Sequence, residues 1–479
     1  MAQEDFITQR IEKKRFFEER GVEPYGRAFE RTEILSIKEG DTNCRVAGRI
    51  MAFRGHGKAA FLDLADWSGK LQVYIKKDMV GDAAWEAFGK FDIGDMAGAC
   101  GDVFRTRTGE LTLAVKELIL LAKSLRPLPE KWHGLKDVEQ RYRHRYVDLI
   151  MNDEAREIFR KRTLVIRRMR ELLDGRGYLE VETPMMQTIA GGAEARPFIT
   201  HHNTLEMDLY LRIAPELFLK RLLVGGFEKV YEINRNFRNE GISPLHNPEF
   251  TMLELYCAYG DFRAMMTIAA ELILAAARET VGGFIGTWQG TTIDLTPPWK
   301  TLTWTECFRM AGISDWRDIA AVRRRAEECH IDLEEGEKDQ LFDLLDAVFK
   351  HTIQPTLTSP TFVTEYPREI SPLAKSVPGD PGMTERFELY IAGMEVANAY
   401  SELNDPVEQR ERFEAEVKTG RPDRPKELDA DYIEALEYGM PPAGGLGIGI
   451  DRLIMILTGA PSIREVILFP LLRPKHELP

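Results

Sequence analysis

The chain has 479 residues, 44% of them hydrophobic, which is too long for one small core and points to two or three domains. A formal charge of -13 excludes a protein coated with nucleic acid, yet cations cluster in RYRHRYVDLI from Arg141 and RKRTLVIRRMR from Arg160, so an acidic total leaves room for a basic track. Cys44, Cys100, Cys257, Cys307 and Cys329 lie far apart, with no CxxC and no Cys/His cluster, which argues against a disulfide framework and a structural zinc and fits a reducing cytoplasm. In chain order, residues 1–42 read as a helical extension: Ile7, Ile11 and Phe17 recur at helical spacing among charges, and the pattern stops at Gly21 and Pro24. This start has no apolar signal core, and no later run reaches membrane-span length, so no membrane association is expected.

From 43 to 124 the pattern changes to short alternating strands, CRVAGRIMAFR, AAFLDLADWSG, KLQVYIKKD, DMAGACGDVFRT and LTLAVKELILLAK, with a helix near AAWEAFGKF after the third. Five strands with that helix predict an OB-fold, an open barrel whose second and third strands bind single-stranded oligonucleotides; the pattern alone also permits a barrel without a ligand. Residues 125–150, with Pro127 and Pro129, read as a linker. The larger domain, 151–479, opens with a helix around EIFRKRTLVIRRMRELLDGRG, closed by Gly175 and Gly177, and a strand YLEVETP ending at Pro184. There is no internal repeat and no low-complexity segment.

The most informative stretch is FEKVYEINRNFRNEGISPLHNPEFTMLELYCAY, from Phe227 to Tyr259, which reads as two strands joined by a polar loop. Period-two alternation predicts Arg238 and Glu240 on one face of the first strand, and Phe250, Met252, Glu254 and Tyr256 on one face of the second. A wet face seldom mixes aromatic rings with so many unneutralised carboxylates, so this face suits a cationic, phosphorylated ligand. With no GxxxxGK[ST] loop and no GxGxxG after a strand, a P-loop or Rossmann nucleotide site is disfavoured. A second constellation is RFELYIAGMEVANAYSELNDP, from Arg386. Ala392 and Gly393 suit a two-residue turn that pairs Tyr390 with Glu395 and sets Glu388 diagonal to Glu395, roughly 7 Å away. Carboxylates at that reach can share a magnesium ion whose shell phosphates and water complete. Asn398, Tyr400 and Glu402 have the opposite parity to Glu395, so both sets face one pocket only if a bulge or twist intervenes.

Phe237-Arg238-Asn239-Glu240, the loop to His246, and Asn247-Pro248-Glu249-Phe250 resemble motif 2 of the class II aminoacyl-tRNA synthetases, in the wording of the lysyl branch. The likeness runs from GVEPYG at Gly21, through LRPLPEKWHGLKDVEQRYRHRYVDL at Leu125 and GGAEARPFITHH at Gly191, to GLGIGIDRLIMILT at Gly445. It implies an α+β protein: an N-terminal OB-fold barrel that reads the anticodon, and a catalytic domain with an antiparallel sheet flanked by helices. The helix and strand ending at Pro184 resemble motif 1, which implies a homodimer. The implied activity is ATP-dependent activation of L-lysine and its transfer to tRNA(Lys) in the cytoplasm, with Mg2+ as cofactor.

By that resemblance Arg238 meets the α-phosphate, Glu240 and Asn247 lie near the adenine end, and His246 lies at the distal phosphates. Phe250 sits under the adenine and Arg452 of motif 3 over it, roles that suit a planar guanidinium, which both bridges oxyanions and stacks. Gly444, Gly445, Gly447 and Gly449 are expected to let backbone approach the ligand. Glu388 and Glu395 match metal ligands. Glu402, Glu254 and Tyr256 are implied to receive the ε-ammonium of lysine, Gly192 and Glu216 its α-amino group, with Asn398 and Tyr400 in the same pocket; paired carboxylates in a dry pocket favour a cation and repel aspartate. In the barrel, Arg49, Phe61 and Gln72 match positions that read an anticodon base. An aspartyl or asparaginyl enzyme shares the architecture but would not want these pocket carboxylates, and a catalytically silent relative would be expected to lose Arg238, Arg452, Glu388 or Glu395. One departure is Pro244-Leu245, where the family often carries arginine before His-Asn-Pro-Glu-Phe.

Overall fold

A computed structural model describes residues 3–129, 137–333, 340–421 and 427–474. The chain divides into two compact units, Met1–Lys136 and Asp137–Pro479. In the first, helix α1 (Gln3–Glu18) inserts Phe17 into the barrel core and is pinned by Arg10, which donates to the carbonyls of Ser124 and Ile93. Strands β1 (Cys44–His56), β2 (Ala59–Ala65), β3 (Lys70–Lys76), β4 (Met96–Arg105) and β5 (Leu111–Ala122) close a barrel in the order β1-β2-β3-β5-β4. Helices α2 (Lys77–Val80) and α3 (Asp82–Phe88) follow β3, as an OB-fold requires. Alternation along β2 sends Leu62 and Leu64 into the core and leaves Phe61 and Asp63 on the outside.

The expected linker differs from the structure in its second half. Helices α4 (Val138–Arg143) and α5 (Arg145–Met151) occupy it, because Arg145 is buried, pairs with Asp148 at 2.7 Å and donates to the carbonyls of Arg464 and Leu468. A guanidinium with its donors satisfied this way ties residues 137–151 to the second unit. Residues up to 129 are irregular, and 130–136 lie outside the described residues.

Helix α6 (Asp153–Gly175), capped by Asn152, leads to β6 (Leu179–Glu180). A small sheet, β7 (Met186–Gln187), β8 (Ile199–His202) and β9 (Met207–Leu211), precedes α7 (Glu216–Val224). The motif 2 strands are β10 (Lys229–Phe237) and β11 (Glu249–Ala258), followed by α8 (Phe262–Val281) and the hairpin β12 (Ile285–Trp288) and β13 (Thr291–Asp294). Then come β14 (Lys300–Thr303), helices α9 (Trp304–Met310), α10 (Ile319–Glu328) and α11 (Leu341–Val348), and strands β15 (Thr361–Pro367), β16 (Ser376–Val377), β17 (Asp380–Ile391) and β18 (Met394–Ser401). Helices α12 (Pro406–Thr419) and α13 (Ala430–Glu437), strand β19 (Ala443–Gly449) and helix α14 (Ile450–Thr458) complete the site.

The main sheet runs β14-β15-β17-β18-β19-β11-β10-β6, with β16 alongside β17. One of its layers is closed by α8 and α14, which bury Leu272, Ile273, Leu453 and Ile454 against Leu255, Leu389 and Ile448. Apolar burial of this extent leaves the polar side chains of the same strands facing the other way. Among the described residues no helix is long and apolar enough to cross a membrane.

Candidate active site

Strand β10 ends at Phe237, one residue short of Arg238, so Arg238 and Glu240 leave the strand pattern and enter the turn toward Pro248. The alternation expected for them therefore stops at the strand end, whereas Phe250, Met252, Glu254 and Tyr256 do share one face of β11. The hairpin between β17 and β18 has Ala392 and Gly393 at its turn, both with positive φ (56° and 71°), and pairs Tyr390 with Glu395. Beyond that pair the register jumps: Glu388 opposes Asn398, and Arg386 opposes Tyr400. Val396 is the extra residue, a bulge that turns Glu395, Asn398 and Tyr400 to the same side despite their opposite parity.

Across the sheet this side reads Glu388, Asn398, Gly447, Glu254, Glu232 in one row and Arg386, Tyr400, Gly445, Tyr256 in the next. A cavity of about 570 Å³ opens above it. Its walls include Gly192, Glu216, Arg238, Glu240, Glu254, Tyr256, Glu388, Glu395, Asn398 and Tyr400. A Cβ on Gly445 would come within 2.0 Å of Glu402 Oε1 and 2.5 Å of the Tyr256 ring, so only glycine fits there. Gly444 points the other way, toward the Asp261 carbonyl, and is not part of the cavity floor. Gly192 has φ +86°, and a Cβ there would lie 3.1 Å from Glu216 Cβ, so the two residues meet on the wall.

His246, Asn247, Phe250, Arg452 and Glu402 do not line the cavity. Arg452 and Phe250 touch the wall residues Glu395 and Arg238, and His246 touches Arg452. Arg452 Nη1 donates to the Glu395 carbonyl at 2.9 Å and pairs with its carboxylate at 3.3 Å, while Nη2 lies 3.1 Å from His246 Nε2. His246 Nδ1 is 2.8 Å from Ser243 Oγ. Partial burial of the ring, together with the Arg452 guanidinium, holds the His246 imidazole below its usual range, although the residue keeps an exposed surface. The Arg238 guanidinium lies 5.1 Å from the Phe250 ring centre, and its buried Nε finds no hydrogen-bond partner among the described residues. Asn247 is committed through its Nδ2 to the Glu249 carbonyl at 2.6 Å.

Glu402 behaves differently from the expectation. It lies one residue past β18, bridged to Ala374, fully buried, with Oε1 on the cavity face of Gly445 beside the Tyr256 ring, and ion-paired with Lys220. Lys220, itself fully buried on α7, also pairs with Glu216 at 2.6 Å. Burial and the neighbouring Glu216 and Glu232 push Glu254 up to about 8, and Glu402 is raised well above the carboxylate range by burial. Burial lowers the Lys220 ammonium, but Glu216 and Glu402 outweigh it and hold the group charged.

Glu388 accepts from Tyr366 at 2.9 Å, from Tyr390, and from Arg386 at 2.7 Å. Burial, then the charge of Glu395, raises it. Two carboxylates that repel in this way are relieved by a shared cation, so the pair fits the magnesium role with phosphates completing the shell; among the described residues no group of three metal-ligating side chains exists. Sequence reasoning missed Lys220, Arg386, Tyr366 and Tyr390 as site residues. Only Lys220 carried a local signal, standing four residues after Glu216 on one helix face.

In the first unit, Phe61 is outside the barrel, opposite Tyr74 in register, with ring centres 4.9 Å apart. Tyr74 in turn lies 6.4 Å from Phe104. Gln72 opposes Asp63, and its Oε1 accepts from Thr112 at 2.9 Å. Arg49 opposes Ala65, two pairs along from the Asp63 position, and donates to the Gly94 carbonyl at 2.7 Å; the cation nearest Phe61 by register is Arg54, paired with Asp63 at 2.6 Å.

Residues 137–473 match the family model of class II tRNA synthetases (D, K and N), and residues 44–121 match the OB-fold nucleic acid binding domain. A lysine–tRNA ligase of Pelotomaculum thermopropionicum is 54% identical over 98% of this chain and 96% of its own. That of Carboxydothermus hydrogenoformans is 55% identical over 98% of both, and that of Bacillus subtilis 48% identical over 98% of both. A barrel followed by a glycine-floored, mainly antiparallel sheet with parallel pairs only at β14/β15 and β10/β6, with likeness of this depth along nearly the whole length, means that the chain belongs to the class II tRNA synthetases, in the family of the lysine–tRNA ligases.

Proposed function

We propose that the protein activates L-lysine with ATP to lysyl-adenylate and pyrophosphate, then esterifies the terminal adenosine of tRNA(Lys). The observation that carries this reading, beyond family membership, is the charge at one end of the cavity: Glu216 and Glu254 on its wall, with Glu402 and its partner Lys220 buried beside them, and a guanidinium with an unused donor, Arg238, on the same wall. A ligand with two ammonium groups and one carboxylate supplies what these carboxylates and the guanidinium lack.

No side chain attacks in the first step. A carboxylate oxygen of lysine bonds to the α-phosphorus, the bond to the bridging oxygen breaks, and pyrophosphate leaves; the terminal ribose hydroxyl then attacks the adenylate carbonyl and AMP leaves. Arg238 spans the attacking carboxylate and the α-phosphate, because charge builds between them in the transition state. Phe250 and Arg452 sandwich the adenine, with Glu240 and the free Oδ1 of Asn247 toward its exocyclic edge, and His246 faces the distal phosphates. Bound between Glu388 and Glu395, Mg2+ would neutralise phosphate charge. Glu254, Tyr256 and Glu402 take the ε-ammonium, Gly192 and Glu216 take the α-amino group, and Asn398 and Tyr400 complete the pocket. Phe61 stacks a base of the anticodon, with Gln72 and Arg49 on the same outward face.

Domain limits near 43–124 for the barrel, a homodimer and a cytoplasmic location belong to the same proposal. Exposed Leu179, Met185 and Met186 beside the motif 1 segment support the dimer. The deciding experiment is pyrophosphate exchange with each of the twenty amino acids: lysine alone should stimulate it, and stimulation by aspartate or asparagine would overturn the reading.

A further inference from the structure

The motif 2 loop brings no cation of its own to the His246 end of the site. In the segment where the family often carries arginine, Leu245 packs against the main core, and the Pro244 carbonyl accepts from the Ile463 amide at 2.7 Å. Arg235 does not fill the gap, because it opposes Thr251 and pairs with Glu249 at 3.7 Å, on the face that Arg162 reaches from α6. A cation does arrive from elsewhere in the chain. Lys350 stands on the cavity wall, and after burial it is the charges of Arg452, Lys350 and Arg238 that lower the His246 imidazole, with Glu395 opposing them. Three cations therefore converge on one ring.

The backbone that carries Lys350 is firmly held. It forms a π-turn (Phe349–Ile353) continuing α11, a rare geometry that concentrates at functional sites. Phe349 is buried, its ring centre 5.3 Å from Trp304 and 5.5 Å from Tyr390, whose hydroxyl donates to Glu388. Just beyond, Gln354 Nε2 donates to the Gly393 carbonyl and the Ala392 amide to the Thr358 carbonyl, both at 2.8 Å, which ties the segment to the hairpin bearing Glu395. The Lys350 side chain is not held in this way. It is 61% exposed and pairs at 2.6 Å with Asp346, four residues back. An exposed pair of this spacing contributes little, so the ammonium exchanges Asp346 for a more highly charged partner at small cost. Asp343, one turn earlier on α11, is taken by Arg421 at 3.0 Å.

We propose that Lys350 is a further ATP-contacting residue, which takes the β- and γ-phosphates beside His246 and Arg452 and supplies the cation that the Pro244-Leu245 loop lacks. That tail carries most of the nucleotide's charge and departs as pyrophosphate, so an ammonium there both binds ATP and steadies the leaving group. This inference rests on the ATP-dependent reading above.

A contact with the tail is selective in a way that a merely structural role is not. In calorimetric titrations of the full chain in Mg2+ buffer, Lys350→Met should weaken ATP by about tenfold and leave AMP within about twofold, because AMP has neither a β- nor a γ-phosphate. In lysine-dependent exchange the KM for ATP and for pyrophosphate should rise by a similar factor while the KM for lysine stays the same, and K350R, which keeps the charge, should recover most of the ATP affinity. If K350M binds ATP within about twofold of the wild type, or loses AMP as much as ATP, the inference is overturned. Should K350M fail to fold, the ATP-to-AMP ratio of K350Q decides. That ratio is measured without lysine. A wild-type protein in which lysine does not stimulate exchange would instead defeat the functional reading, so the two failures are distinct.

Discussion

On the function proposed above, the amino-acid end of the cavity and the outward face of the barrel recognise their ligands by opposite physical means. At that end Glu254 is buried on the wall, with Glu402 and Lys220 buried beside it, so each uncompensated charge is expensive and a ligand is selected by the cost of leaving it out. On the barrel, Phe61 and Tyr74 remain partly exposed beside each other, and a stacked base adds to surface that water already wets. Buried charge therefore gives steep selectivity that depends on pH, and exposed rings give modest, nearly additive affinity.

The sharpest break in that contrast comes from Arg238. Its unused Nε lies in the cavity wall, so Arg238→Ala should cost about 4 kcal/mol in kcat/KM for pyrophosphate exchange, a loss on the scale of removing a preorganised transition-state donor. A loss under tenfold would mean that the guanidinium does not meet the reacting groups. Glu254 comes next. Its pKa of about 8 means that the empty site keeps a proton which a bound ammonium displaces, so lysine binding tightens as pH rises toward about 8 and then levels. Calorimetry in buffers of different ionisation heat should show proton release below that pH. Glu254→Gln should abolish the release and weaken lysine by about 2 to 3 kcal/mol. In the ligand-free protein the sign is reversed: because the folded pKa is raised, this carboxylate makes the fold less stable as pH climbs from the unfolded carboxylate range through about 8, so the Gln variant should have the higher Tm above that pH.

Smaller effects test the two edges of the comparison. Glu388→Gln should raise the Mg2+ concentration needed for exchange by about tenfold while tRNA binding, read by filter retention, stays the same. On the barrel, Phe61→Ala should weaken charging of tRNA(Lys) by only about 1 kcal/mol, because Tyr74 still offers a ring at that place, and amino-acid activation should not change. A large fall in activation from this variant would mean that the exposed face does more than stack.

Much of this molecule is legible in local sequence pattern. The two-residue turn follows from Ala392 and Gly393 themselves, and the need for a bulge follows from the opposite parity of Glu395 and Asn398 once both are assigned to one pocket. The barrel follows from five alternating runs and one helix. What escapes such a reading depends on where strands stop and on partners distant in sequence. Arg238 reads as a strand-face residue because nothing in FRNE marks Phe237 as the last paired residue. The ion pair of Glu402 escapes because its partner, Lys220, stands on α7, far back in the chain. Arg386 looks like an ordinary strand cation, yet its Nε donates to Asn398 Oδ1 at 3.1 Å and its Nη2 holds Glu388, links that only the folded register creates.

The extra residue at Val396 also limits how this protein can drift in sequence. Strand β18 carries Glu395 on one side of the bulge and Asn398 and Tyr400 on the other, and only the odd residue between them keeps both groups turned to the cavity. Substitutions along this strand change one wall position at a time. Deleting a single residue would instead rotate the Glu395 end by half a pleat and send that carboxylate into the layer packed by α8 and α14. Relatives can therefore vary the letters of this segment but not its length, and a grafted or redesigned pocket must take the strand with its bulge as one indivisible part.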